Sequence, residues 1–226
     1  MYRKNAWKAL KEGEMAQLEA FADKYKAYLD AGKTERECVT ESVRLAKEAG
    51  FEDLNAILKE GKQLKAGDRI YCNWMNKCFL AWVIGENDIT AGMNILGAHI
   101  DSPRIDVKQN PLFENGGFAY LDTHYYGGIK KYQWVASPLA LHGVVCKKDG
   151  AKVTIAIGED ENDPVFYISD LLIHLAADQM GKPAAKVIEG DALDIIIGSA
   201  PLAGEEKDPV KAQVLAILKD KYGIEE

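Results

Sequence analysis

The chain has 226 residues, 47% hydrophobic and 28% charged, and acidic side chains outnumber basic ones 35 to 28 for a formal charge of −7. That balance describes a folding chain of ordinary core size rather than a disordered one, and with no block of Lys or Arg to follow a phosphate backbone it argues against nucleic acid as a partner. Cys38, Cys72, Cys78 and Cys146 form no CxxC pair, and the opening MYRKNAWKALKEGE has no apolar stretch of signal-peptide length, which fits a reduced, cytoplasmic protein.

From residue 7 to residue 29, Trp7, Leu10, Leu18, Phe21, Tyr25 and Tyr28 recur at helical spacing and predict an amphipathic helix ended by Ala31-Gly32. Thr34 and Glu37 have the form of a capping box, and Val39, Val43, Ala46 and Ala49 continue a second helical stripe up to Gly50, a C′ stop. RIYCNW and CFLAWVIG flank Met75-Asn76-Lys77 as a hairpin, and NILGAH follows as a third strand. CFLAWVIG is the longest apolar run and is far short of the roughly 20 residues of a membrane span. Helices followed by strands predict an α/β layer fold with functional side chains at strand ends, where His99 stands.

After Pro103 the pattern is mostly β, with strands predicted at 118–122, 133–135, 139–147 and 152–157, the last two joined at Asp149-Gly150. DPVFYISDLLIHLAADQM reads as a short strand and a helix opening near Ser169 or Asp170. LDIIIGS reads as a buried strand, and DPVKAQVLAILKDKYG as a last helix with Asp208 before Pro209.

Two stretches carry candidate chemistry. In extended backbone His99 and Asp101 share a face, so the carboxylate is placed to accept one imidazole N–H and leave the other nitrogen for a metal. Alone, the pair is also consistent with a structural strand-end histidine. Thr123 to Trp134, THYYGGIKKYQW, gathers a histidine, hydroxyls, a glycine pair and two lysines that suit a polar substrate or, equally in kind, a packed β-edge loop. His142 and His174 sit among apolar residues without a completing ligand set and read as structural. Ser102 lacks a nucleophile-elbow context, Cys72 and Cys78 read as plain buried thiols, and ENGGFAY lacks the strand and helix of a nucleotide site.

GAHIDSPRIDVKQNPLFE, THYYGGIKKYQWVASPLALHGVV and DPVFYISDLLIHLA, in that order, resemble the aspartyl aminopeptidase / aminopeptidase I family of zinc metallopeptidases. The similarity runs through IIIGSAPLAGEEKD and the last helix, over nearly the whole chain. The resemblance implies an α/β catalytic domain interrupted by a β-rich dimerisation domain, with 1–103 the N-terminal part of the first and 104–226 an incomplete second. It implies an enzyme that removes N-terminal, often acidic, residues from peptides, works as a homodimer or larger homo-oligomer in the cytoplasm, and binds a pair of zinc ions in each complete site. His99 would correspond to the first zinc ligand and Asp101 to the carboxylate orienting it. His124 would correspond to a histidine delivered into the partner subunit's active site.

In the family, zinc polarises the scissile carbonyl and acidifies a bridging water while a glutamate acts as general base. The bridging aspartate, the catalytic glutamates and the other ligands lie downstream of the dimerisation domain there, past Glu226 of this chain. The expectation is therefore zinc held at most weakly and no activity from this polypeptide alone. The rival expectation is a non-catalytic assembly module that dimerises through its β-rich half and joins a full-length or complementary subunit.

Overall fold

The computed structural model describes residues 2, 3 and 5–224, and the chain divides into two compact units, Met1–Asp101 and Ser102–Glu226. Helices and small sheets alternate in the expected α/β mixture. Among the described residues no helix is long and apolar enough to cross a membrane.

In the first unit a 3-10 turn, Ala6–Lys8, precedes α1 (Glu14–Ala31). The helix begins later than its apolar stripe because Gly13 stands at the N-cap with φ +82°, a left-handed conformation that breaks the helical run. It ends at Ala31 as the sequence predicts, with the Gly32 N–H bonded to the Tyr28 carbonyl at 3.0 Å. α2 (Glu35–Glu48) opens with the predicted capping box: Thr34 Oγ1 accepts the Glu37 N–H and Glu37 Oε2 accepts the Thr34 N–H at 2.8 Å. It closes with Gly50 at φ +79°, where the Gly50 N–H bonds Lys47 O and the Phe51 N–H bonds Ala46 O, so two end carbonyls are satisfied.

A two-residue β1 (Glu52–Asp53) and a two-turn α3 (Leu54–Glu60) follow, too short to leave a periodic signal. β2 (Arg69–Trp74) and β3 (Cys78–Val83) make the predicted hairpin, with Trp74 opposite Cys78 and both Met75 and Asn76 at positive φ in the turn. β1 pairs parallel with β2, giving the order β1-β2-β3. Val39 and Ala46 of α2, Ile57 of α3, and Ile70 and Tyr71 of β2 are buried.

NILGAH forms no strand, contrary to the sequence expectation; Ile95 and Leu96 are 79% and 101% exposed. Apolar content supplies propensity, but a strand exists only through a paired neighbour, and neither sheet edge, β1 nor β3, pairs with this segment.

The second unit is built on a long antiparallel ribbon, β4 (Arg104–Asn115) with β5 (Phe118–Tyr126). The sequence marks only 118–122 of it. Pro111 hides β4, since proline lacks the ladder donor, and it lies where the register between the strands shifts, between Val107 and Leu112. β6 (Leu141–Cys146) and β7 (Lys152–Ile157) form the predicted hairpin through Asp149-Gly150, with Gly150 at φ +86° and the Ala151 N–H bonded to Asp149 Oδ1.

Two predicted elements are replaced. Residues 133–135 give a 3-10 turn, Lys131–Gln133, and a single bridge from Val135 to Ile168. The helix expected from Ser169 or Asp170 is reduced to a 3-10 turn, Ile173–Leu175, and a single-turn α4 (Ala177–Met180). Asp170 Oδ1 accepts the adjacent Leu171 N–H and the Gln179 side-chain amide, each at 2.8 Å, rather than the backbone donors two and three residues on that a cap must reach, and Leu172 is extended at ψ 148°. Leu171, Leu172, Ile173 and Leu175 are consequently exposed rather than stacked in a helical stripe.

β8 (Ile195–Gly198) pairs with β5, making the order β4-β5-β8. Phe166, Ile168, Ile188, Leu193 and Ile195 are the buried core, with Ile105, Leu121, Leu141 and Ile157 packed against it. α5 (Pro209–Tyr222) starts after Asp208, which has φ +47° and makes no side-chain cap. Its cap comes from β4 instead: Glu114 Oε2 accepts the Val210 and Lys211 N–H groups at 2.8 and 2.9 Å. Glu114→Ala is therefore expected to lower the stability of this unit by about 0.5–2 kcal/mol, read as a fall in urea midpoint, with Glu114→Gln retaining part of the loss.

Candidate functional site

In the first unit the imidazole of His99 places Nδ1 3.2 Å from Asp101 Oδ1 and 3.0 Å from the Asp101 carbonyl oxygen. With Nδ1–H donating there, Nε2 carries the lone pair a cation needs. The His99 side chain is 85% exposed. Among the described residues no group of three or more His, Cys, Asp and Glu side chains is arranged to hold a metal ion, and zinc requires three or four protein ligands. The described residues thus fit one corner of a zinc centre and not the whole of it, and no catalytic step through zinc follows from them.

In the second unit strand alternation gathers Arg104, Asp106 and Lys108 of β4 with Asp122, His124 and Tyr126 of β5 on one face of the ribbon. Arg104 lies opposite Tyr126 and Asp106 opposite His124. Arg104 Nε donates to Asp106 Oδ1 at 2.7 Å, its guanidinium sits 4.3 Å from the Tyr126 ring centre, and Lys108 Nζ reaches Asp122 Oδ1 at 2.7 Å. His124 is exposed, with Nδ1 3.4 Å from the Tyr125 carbonyl.

The other ribbon face is held down. Ile105 and Leu121 pack on the core, and buried Thr123 donates through Oγ1 to the Leu193 carbonyl at 2.5 Å. Tyr125 lies against Gly190, where an added Cβ would meet its ring at 2.7 Å. Buried Thr123 on one side of His124, and half-exposed Tyr125 packed against Gly190 on the other, therefore fix where its backbone presents the ring.

Arg104, Asp106, Lys108 and Asp122 are neighbours of His124 that the sequence expectations did not include. The alternation R-I-D-V-K was a usable signal, masked by Pro111 a few residues on. His142 is largely covered, with Nε2 3.3 Å from Glu159 Oε1, and His174 stands in the 3-10 turn Ile173–Leu175. The four cysteines are free thiols, but Cys72 is only half-buried and Cys78 exposed, correcting the expectation of buried thiols; β3 lies at the edge of its sheet and leaves most of its residues to solvent.

Burial pushes the Asp194 carboxyl up from its ordinary 3.8; the Asp122 charge adds to this, while the Thr123 N–H and Lys108 oppose it. A carboxyl raised in the folded state favours the protonated fold, so stability falls as pH rises from the ordinary value through the raised one. Asp194→Asn keeps an acceptor for the Thr123 N–H without the charge. Its Tm is expected to exceed that of the parent at about pH 7, and the difference to vanish below the ordinary carboxyl range.

A family model described as Aminopeptidase I zinc metalloprotease (M18) matches residues 28–226. Over 224 residues the chain is 51% identical to a probable M18 family aminopeptidase 1 of Clostridium acetobutylicum, covering 99% of this chain and 48% of that protein. The solved aminopeptidase of the M18 family from Thermotoga maritima matches with a TM-score of 0.90 at 41% identity, over 100% of this chain and 48% of that one. Aminopeptidase I from Clostridium acetobutylicum matches with a TM-score of 0.86 at 49% identity, over 100% of this chain and 50% of that one. The chain spans about half the length of the relatives it matches.

Proposed function

From the premise that this chain belongs to the aminopeptidase I (M18) family of zinc metalloproteases, we propose that it acts as the N-terminal portion of a zinc-dependent aminopeptidase. In this reading residues 1–103 are part of the catalytic domain and 104–226 part of the dimerisation domain. His99 ligates zinc through Nε2, Asp101 holds its ring from the Nδ1 side, and the remaining ligands of a two-zinc site and the catalytic glutamate come from sequence this chain does not hold. The substrate is a peptide whose N-terminal residue, often acidic, is released in the cytoplasm by a homodimer or larger homo-oligomer. His124 enters the partner subunit's site and donates a hydrogen bond to the carbonyl oxygen as charge develops on it.

The observation that carries this reading is the His99–Asp101 pair, at 3.2 Å, inside a chain matched by the family model. Exposed Ile89, Met93, Ile95 and Leu96 add support, because a run of large apolar side chains in solvent marks a surface made to be covered. The second reading, a non-catalytic assembly module, draws on a different observation: His124 and its ribbon belong to a compact unit of their own.

The test is zinc content and peptidase activity of the purified chain, measured alone and after mixing with a polypeptide supplying the other half of the relatives' length. The chain alone should hold little zinc and show no turnover, and the mixture should show both. Tight zinc and turnover in the chain alone would overturn the reading. Stable association that never yields turnover, with a full-length relative's activity changed in a His124-dependent way, would favour the assembly module.

A further inference from the structure

Resting on the reading that His124 meets substrate, we propose that Asp106 is the positioning residue for His124, itself held by Arg104 and Tyr126. Directly opposed residues on one face of an antiparallel pair bring their Cβ atoms to roughly 4.5–5.5 Å, and Asp106 is the residue opposed to His124. The carboxylate there is fixed before any ligand arrives. Arg104 grips it at 2.7 Å while stacking on Tyr126, which opposes Arg104 one step along the same face. The Arg104 and Asp106 side chains are 27% and 31% exposed, so neither is a solvated surface charge free to swing away.

The imidazole, by contrast, has little local restraint. Its Nδ1 contact with the Tyr125 carbonyl, 3.4 Å, is at the long end of hydrogen-bond range and comes from its own backbone neighbour. On the other flank Asp122 is engaged by Lys108 at 2.7 Å. The groups facing His124 from the two strands are thus Arg104, Asp106, Lys108, Asp122 and Tyr126, and of the two carboxylates Asp106 is the one directly across. A fixed carboxylate beside an imidazole selects one ring tautomer and one ring orientation. His99 and Asp101 use this device within a short non-strand segment, and the register that sets Asp106 opposite His124 offers it across a ribbon.

The test is the tautomer of His124, read by long-range proton–nitrogen correlation on the 15N-labelled 226-residue chain at about pH 8.5, above the usual histidine range. The four histidine rings are assigned with His124→Ala. In the parent, one His124 nitrogen should read as donor and the other as acceptor. In Asp106→Asn the separation between them should shrink toward the averaged value of a free imidazole; Arg104→Gln should shrink it partway, and Asp106→Glu should preserve most of it. His142 and His174 signals unchanged from the parent report an intact fold. An averaged His124 ring in the parent, or a ring unchanged in both Asp106→Asn and Arg104→Gln, would overturn the proposal. The substrate role fails separately, as undiminished turnover in a His124→Ala enzyme of full family length.

Discussion

Leu193→Ala is expected to destabilise the Ser102–Glu226 unit by about 2–5 kcal/mol, which would leave a domain of ordinary stability marginal or unfolded. Leu193 is fully buried at the centre of the core, against Phe166, Ile168, Ile188 and Ile195. Truncation removes its transfer free energy and leaves a cavity that β8 and the ribbon can only partly fill. The same residue's carbonyl accepts the Thr123 hydroxyl, so any relaxation of the loop before β8 also loosens β5 one residue from His124. The measurement is urea unfolding of the chain followed by tryptophan fluorescence, where Leu193→Ala should lower the midpoint at unchanged slope. Leu193→Met, nearly conserving volume, should cost less than about 1.5 kcal/mol. Equal losses for the two variants would mean that the site is not tightly packed.

The second large effect concerns chemistry. In an enzyme of full family length, His124→Ala is expected to lower kcat by about 10²-fold or more, the scale of losing one preorganised donor to a developing oxyanion, with zinc content unchanged. His99→Ala should instead lose metal and turnover together. Because the proposal places His124 in the partner's site, the two inactive variants should complement. A mixed oligomer pairs an intact zinc site from the His124→Ala subunit with an intact His124 from the His99→Ala subunit, and activity should return on mixing. Mixtures that exchange subunits and stay inactive would show that His124 serves its own chain or none.

Local devices were legible in the sequence and distant ones were not. The Thr34–Glu37 cap, the Gly50 stop and the Asp149-Gly150 turn are decided by a few adjacent residues whose side chains and φ angles settle the matter. Segments 94–99 and 171–175 have the composition of strand and helix, yet the first finds no pairing edge and the second no cap. β4 was obscured by a proline that the bulged register accommodates. The candidate site divides in the same way. His99 and Asp101 are two residues apart and could be paired by eye, whereas Asp106 meets His124 only through the register of two strands.

The position of β4 has one more consequence. It is a 12-residue strand at the outer edge of its sheet, and a flat edge of that length is a template on which further chains could stack without limit. Pro111 removes a donor from the middle of that edge, and the bulge beside it twists the row out of line. An incoming strand can therefore match only a short segment on either side, which favours closed, finite self-association over fibre growth.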